Sequence, residues 1–252
     1  MENDIVIVKN WFNSTTPNIN IKLSFANNTP STLYYVVSND AGFSMQNNTG
    51  SINSSTAITT YPIIQIPTNT NRTYFNLLIQ FYTDSNHTNL LYTYQYPINL
   101  YIIDLTTANI VAKWDFTDGT AQGWTGQTDL GNDGFADPYH LWFYATSSKN
   151  DYKFTSPSIA LPRANKLFII FVYKDDLASP GHSLYFRLED ETGAVIKVFV
   201  NQDPFRSGGW KIYYADITKF AGLTKSFTAH GSGGGGYYAW GGYLDDVYII
   251  AL

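Results

Sequence analysis

Between Ile19 and Phe25 apolar and polar side chains alternate without a break: Ile19, Ile21, Leu23 and Phe25 against Asn20, Lys22 and Ser24. A period of two is the period of a strand with one face buried. Phe75, Leu77, Ile79 and Phe81 against Asn76, Gln80 and Tyr82 repeat it, and shorter apolar runs lie near Ile5, Leu33, Ile58, Leu90 and Ile98. Seven strands are predicted in this first part, separated by Asn, Pro and Gly clusters and free of helical periodicity. That pattern predicts an antiparallel sandwich of immunoglobulin-like type, without the Cys–Trp–Cys hallmark of antibody domains. The Asn/Thr/Ser-rich tract from Asn39 to Thr60 is expected to be locally mobile.

In the second part, apolar runs at Ile110–Phe116, His140–Tyr144, Lys166–Tyr173, Ser183–Leu188, Val195–Val200, Trp210–Tyr214 and Val247–Leu252 are divided by Gly, Pro, Asn and Asp. This spacing predicts a double-sheet jelly roll whose first and last strands pair or lie close together. Asp190-Glu191-Thr192-Gly193 reads as a hairpin turn, and Ile217–Gly222 as a single helical turn. The expected organisation is all-β: an immunoglobulin-like sandwich over residues 1–108, then a jelly roll over 109–252, joined by a short linker near Thr106–Ile110.

The second part resembles a known group of domains. Trp114-Asp115-Phe116-Thr117-Asp118-Gly119-Thr120 with Gly123-Trp124, Ser156-Pro157-Ser158-Ile159-Ala160-Leu161, Gly209-Trp210, Asp216-Ile217 with Phe220-Ala221-Gly222, and Leu244-Asp245-Asp246-Val247 look like the jelly-roll, carbohydrate-binding-module-like domains of secreted glycosidases, peptidases and adhesins. The resemblance implies the fold. Function transfers weakly, because the group includes many non-catalytic modules with differing ligands.

Composition separates the two parts further. Residues 1–110 hold eighteen Asn and residues 111–252 hold four. The first part carries six Asn-x-Ser/Thr glycosylation sequons, at Asn13, Asn27, Asn47, Asn53, Asn71 and Asn86, and the second carries none. Chance alone gives roughly four in so Asn-rich a stretch, so the count decides little. Their expected position in turns and loops favours use as acceptors, although Asn prefers turns anyway.

A net charge of −5 without a basic run argues against nucleic acid as a partner. Cysteine is absent, which removes disulfides and thiolate metal sites. The longest apolar runs are too short to span a bilayer, and Met1-Glu2-Asn3-Asp4 does not open a signal peptide. Either a leader has been removed, or the protein reaches an exterior as a virion component does.

Candidate chemistry is sparse. His87, His140, His182 and His230 form no metal or catalytic pattern, and ordinary surface or core histidine is the better reading of each. The neighbouring acids Asp175-Asp176, Glu189-Asp190-Glu191 and Asp245-Asp246 are read as solvated turn and edge residues, since adjacent strand residues face opposite ways. No cofactor is required. The family resemblance would let Asp118 meet Asp245 or Asp246 at a structural Ca2+ site, and Asp129, Asn132 and Asp133 make another oxygen-rich loop. Tyr237, Tyr238, Trp240 and Tyr243, set among glycines, are candidates for stacking on sugar rings. The competing reading places Tyr238 and Trp240 in the core, with Trp114, Trp124, Trp142 and Trp210 also mainly core.

Together these features predict a non-enzymatic, surface-exposed structural glycoprotein, resembling the decoration, turret or spike proteins of archaeal viruses and, more loosely, archaeal surface-filament subunits. Its partners would be copies of itself, other capsid or surface proteins, or a host glycan or receptor. It would act as a homo-oligomer on a virion or cell surface. The alternative is a non-catalytic carbohydrate-binding module pair from a secreted enzyme or adhesin.

Overall fold

The structure, a computed structural model, describes residues 4–9, 11, 16–126, 129–131, 134–135, 138–145, 151–177, 184–201, 210–233 and 240–252. The chain divides into two compact units, Met1–Thr107 and Ala108–Leu252. Both are built from strands, and each has its own hydrophobic core.

The first unit contains β1 (Asp4–Val8), β2 (Asn18–Asn20), β3 (Leu23–Asn27), β4 (Leu33–Asn39), β5 (Ser44–Gln46), β6 (Thr49–Ile52), β7 (Thr56–Thr60), β8 (Ile63–Gln65), β9 (Tyr74–Tyr82) and β10 (Leu90–Ile103). One sheet has the order β1-β10-β9-β4-β6, with β1 parallel to β10 and the other neighbours antiparallel. Facing it, β2–β3 runs against β7–β8. That ladder breaks around Pro62, which has no N–H to give, and Ile21 N–H bridges the break by donating to the Pro62 carbonyl at 2.9 Å. Ile5, Val37, Leu77 and Ile98 from one sheet meet Ile21, Leu23 and Ile64 from the other in a single buried cluster. The alternating residues of 19–25 therefore face inward as their period requires.

Seven strands were too few. Among the described residues the unit has ten strand segments, three of them (β5, β6 and β7) within the Asn39–Thr60 tract expected to be mobile, whereas the runs near Leu90 and Ile98 are one strand. Asparagine orders the tract by standing in for backbone. The Asn39 amide donates to the Phe43 carbonyl and accepts from Phe43 N–H, each at 2.8 Å, and Asn48 donates to the Val37 carbonyl at 2.8 Å.

The second unit contains β11 (Asn109–Trp114), β12 (Thr125–Gly126), β13 (Asp129–Gly131), β14 (His140–Ala145), β15 (Asp151–Thr155), β16 (Ile159–Ala160), β17 (Leu167–Leu177), β18 (Leu184–Asp190), β19 (Val195–Asn201), β20 (Lys211–Asp216), β21 (Thr224–Lys225), β22 (Phe227–Gly233) and β23 (Trp240–Ala251). One sheet runs β13-β14-β23-β17-β20, with β11 also on β23; the other runs β12-β15-β22-β18-β19. Take the eight main strands β14, β15, β17, β18, β19, β20, β22 and β23 in chain order. The first sheet then holds the first, eighth, third and sixth, and the second sheet holds the second, seventh, fourth and fifth. That order is a jelly roll.

The terminal strands pair as the sequence predicts, from Asn109 opposite Ala251 to Trp114 opposite Val247. Between the sheets Tyr173 stacks on Phe186 with centroids 4.0 Å apart, and Phe171, Leu188, Leu244 and Ile249 complete the centre. Trp114 and Trp124 meet edge to face at 5.5 Å inside this core. Trp142 and Trp210 do not belong to it: both are partly exposed on the outer side of the first sheet, a correction to the expectation that they are core.

One local device recurs. At Asn27-x-Thr29, Asp104-x-Thr106, Asp115-x-Thr117, Asp118-x-Thr120, Asp190-x-Thr192 and Asp216-x-Thr218, the Asx oxygen accepts both the backbone N–H and the hydroxyl of the threonine two residues on. At Asp190 it builds the predicted β18–β19 hairpin turn, closed by Gly193 at a φ of 83°. At Asp216 it leads into the predicted helical turn, a 3-10 segment over Thr218–Phe220.

Candidate functional site

Alternation along β14, β23 and β17 sends Leu141, Leu244 and Tyr173 into the core and turns their neighbours outward. Trp142 lies directly opposite Tyr243, and Tyr243 opposite Lys174, so the three form a row across three strands. Trp210, just before β20, packs against the same row at 6.2 Å from Tyr243 and 6.1 Å from Phe135. The Lys174 ammonium lies 4.7 Å from the Tyr243 ring centroid and 5.7 Å from that of Trp210. Beneath them His140 is fully buried, 4.8 Å from Tyr243 and 5.8 Å from Trp210. Phe135 N–H donates to the buried Asp245 carboxylate at 2.7 Å, which ties that stretch of chain to the sheet. The result is a partly exposed aromatic patch with one amine among the rings. Of the sugar-stacking candidates, Tyr243 is part of it. Tyr237 and Tyr238 lie outside the described residues, and Trp240 opens β23 with its side chain likewise outside them.

The opposite sheet carries a different surface. His230 on β22 lies opposite Lys153 on β15 and opposite Arg187 on β18, with Glu189 two residues along the same face. Glu189 is buried, its side chain only 3% exposed, so the expectation of solvated acids fails here. It fails also at Asp245 and Asp246, both buried. Arg187 Nε donates to Glu189 Oε1 at 2.6 Å, His230 Nδ1 lies 2.8 Å from the same oxygen, and Lys153 Nζ stands 3.6 Å from Oε2. Burial pushes the Glu189 carboxyl up, but the bonds from His230 and Arg187 outweigh it and hold the group below the usual carboxylate range. Sequence spacing gave no sign of this network, because its members sit far apart in the chain and only strand register unites them.

The sequons divide by position. Asn47, Asn53, Asn71 and Asn86 are exposed, and Asn13 lies outside the described residues. Asn27 ends β3 and is 1% exposed; its amide donates to the carbonyls of Ser31, Ile52 and Asn53 at 2.8, 3.0 and 3.2 Å. A glycan on that nitrogen would take one of its two hydrogens and need room that a buried amide lacks, whereas the amide as it stands builds the turn.

The carboxylates expected to meet at a calcium site hold local hydrogen bonds. Asp118 is exposed and accepts from Thr120, whereas Asp245 accepts from Phe135 and, through its other oxygen, from Asp246 N–H at 2.8 Å. Asp246 sits at a φ of 47° where the β17–β23 register shifts. Among the described residues, no group of three or more acid or imidazole side chains is placed to hold a metal ion. Asn132, Asp133 and His182 lie outside the described residues, as do the side chains of Asp129, Asp175 and Asp176. No described helix is long and apolar enough to cross a membrane.

No protein-family profile and no curated protein matches the chain. Similar solved structures include CBM27-1 of Caldicellulosiruptor saccharolyticus in complex with mannohexaose, at 12% identity and a TM-score of 0.43, covering 56% of this chain and 96% of that one. The N-terminal CBM22-1–CBM22-2 tandem of Paenibacillus barcinonensis Xyn10C is 16% identical with a TM-score of 0.41, covering 91% of this chain and 82% of that one. The enzymatically active domain of bacteriophage CBA120 tailspike protein 4 is 12% identical with a TM-score of 0.41, covering 60% of this chain and 22% of that one. Carbohydrate-binding modules are thus among the structural neighbours, and at these scores the likeness bears on neither ligand nor activity.

Proposed function

We propose that this protein is a non-catalytic carbohydrate-binding protein whose second unit holds a sugar chain on the outer aromatic patch of the β13-β14-β23-β17-β20 sheet. The observation that carries the reading is the register of Trp142, Tyr243 and Lys174 across three adjacent strands with Trp210 beside them. Strands lie about 4.8 Å apart, so rings on neighbouring strands match the scale of consecutive pyranose units. Partly exposed aromatic faces supply apolar contact to C–H bonds, and the Lys174 ammonium supplies donors for hydroxyl oxygens. Rigid strands position these groups before any ligand arrives, which lowers the ordering cost of binding.

Affinity electrophoresis through gels holding soluble mannan, xylan or mixed-linkage glucan tests it. Retardation by at least one neutral polymer is expected, and it should fall about tenfold or more in Trp210→Ala or Tyr243→Ala, in line with the loss of a ring contact worth roughly 1–2 kcal/mol. A wild-type protein that no neutral polymer retards, or retardation unchanged in both variants, would sink the reading.

A second reading, display on a virion or cell surface by a glycan-decorated first unit, is favoured by the exposure of Asn47, Asn53, Asn71 and Asn86 on that unit. Ordered self-assembly of natively produced material, seen by electron microscopy, would support it. The two readings are compatible, since the first unit could carry glycans while the second binds them.

A further inference from the structure

We infer that the outer face of the β12-β15-β22-β18-β19 sheet is an oxyanion site, built by Lys153 and Arg187 around Glu189 and His230, that takes the carboxylate or sulfate group of an acidic glycan. It lies on the opposite sheet from the aromatic patch and stands independently of the reading above.

The charges do not balance within the row. Two permanent cations, Lys153 and Arg187, share one carboxylate, and the chain as a whole carries a charge of −5, so this is a local excess of positive charge on an acidic protein. Both cations reach solvent, with side chains 52% and 34% exposed, while Glu189 beneath them is buried.

Donors also outnumber acceptors. An ionised Glu189 only accepts, so His230 Nδ1 at 2.8 Å must bring its proton to that oxygen. That nitrogen then has no lone pair for Arg187 Nη2, which lies 3.0 Å away, and the contact is a close pass between two donors rather than a bond. Arg187 is thereby fixed through Nε on Glu189, while its two terminal nitrogens have no other acceptor among the described residues. Lys153 Nζ, 3.6 Å from Glu189, is beyond good hydrogen-bonding distance.

A planar guanidinium edge held by a buried carboxylate, with an ammonium close by, is the arrangement that accepts a two- or three-oxygen anion. Flanking groups suit a sugar. Thr155 and Thr228 pair their hydroxyls at 3.0 Å on β15 and β22, and Val198 on β19, opposite Arg187 and 48% exposed, gives an apolar wall.

The test is the whole protein titrated, at low and at physiological salt, with polygalacturonate, which carries only carboxylates, and with carrageenan, whose anions are only sulfates. At least one polymer should bind, more weakly at the higher salt, and Lys153→Gln should weaken it about fivefold, as fits loss of one exposed charge-assisted contact. Arg187→Lys, which keeps charge and loses the fork, should weaken it further, and Lys22→Gln in the first unit should change nothing. Binding of polygalacturonate alone assigns carboxylate, carrageenan alone assigns sulfate, and both together assign the shared chemistry. Absence of binding to either polymer at low salt, or binding unchanged in Lys153→Gln and Arg187→Lys, overturns the inference. Because Trp210→Ala lies on the other sheet, its effect on neutral polymers reports the aromatic patch separately.

Discussion

Lys197 on the edge strand β19 donates its Nζ to the backbone carbonyl of Tyr214 on β20 at 2.6 Å, with the ammonium 4.3 Å from the centroid of the same tyrosine ring. The two residues belong to different sheets, so one side chain fastens the open seam of the jelly roll. Replacing it by methionine keeps the stem and removes the charge. Lys197→Met should cost about 2–4 kcal/mol, the sum expected for a charge-assisted hydrogen bond and a cation–π contact. It should also favour association, because a charge turned inward guards an edge strand against pairing. Urea denaturation and light scattering check both; unchanged values in each would remove the seam role.

Asn27 satisfies three carbonyls of the first unit with one amide. Asn27→Ala removes these bonds from a buried site, although Thr56 still donates to the Asn53 carbonyl and Thr29 to that of Ser31, and should destabilise the unit by about 2 kcal/mol, measured by calorimetry. In protein made by a glycosylating host, peptide mass spectrometry should find sugar among Asn47, Asn53, Asn71 and Asn86 and none at Asn27. An occupied Asn27 in folded protein would contradict the structure.

Stability of the second unit should fall in acid. Burial would raise the Asp115 carboxyl, but hydrogen bonds from Lys113, Gln122 and Thr117 outweigh it and hold the group far below the usual range; Glu189 and Asp216 are lowered too. A carboxyl with a depressed folded pKa contributes stability that is full above its unfolded value, about 4, and is lost as pH falls through the folded one. The urea midpoint, followed by tryptophan fluorescence, should therefore be flat from neutral pH to about 5 and decline below about 4. Five of the six tryptophans lie in this unit. Asp115→Asn should lower the plateau and flatten the decline.

Gly231 on β22 lies opposite Tyr152, whose ring occupies the space that a Cβ at 231 would fill. Gly231→Ala must displace a buried tyrosine whose hydroxyl is 3.3 Å from that of Tyr173, and should cost about 1–3 kcal/mol. The double variant Gly231→Ala, Tyr152→Leu should recover part of the loss in the same thermal melt.

Strand period was the most legible signal, because burial of one face leaves its trace in every second residue. The run Ile19–Phe25 and the terminal pair β11 and β23 could be read directly. Boundaries within the Asn39–Thr60 tract could not, since there the asparagine side chains of residues 39 and 48 replace backbone partners and polar composition mimics disorder. The same ambiguity covers Asn27: Asn-x-Thr is at once a sequon and, like Asp-x-Thr, a turn, and its burial is not legible in the sequence. At the candidate faces, sequence pointed to Tyr243 but placed Trp142 and Trp210 in the core, because tryptophan alone does not report which side of a sheet it takes. The ionic row was invisible for a related reason: Lys153, Arg187 and His230 meet only through the pairing of three strands.

With Asn109 beside Ala251, the polypeptide enters and leaves the jelly roll at one corner. A module wired in this way is easily spliced: it can be inserted into a surface loop of another protein, or joined head to tail in series, without its scaffold having to stretch. Its opposite rim stays free of through-going chain, open to whatever loops selection places there.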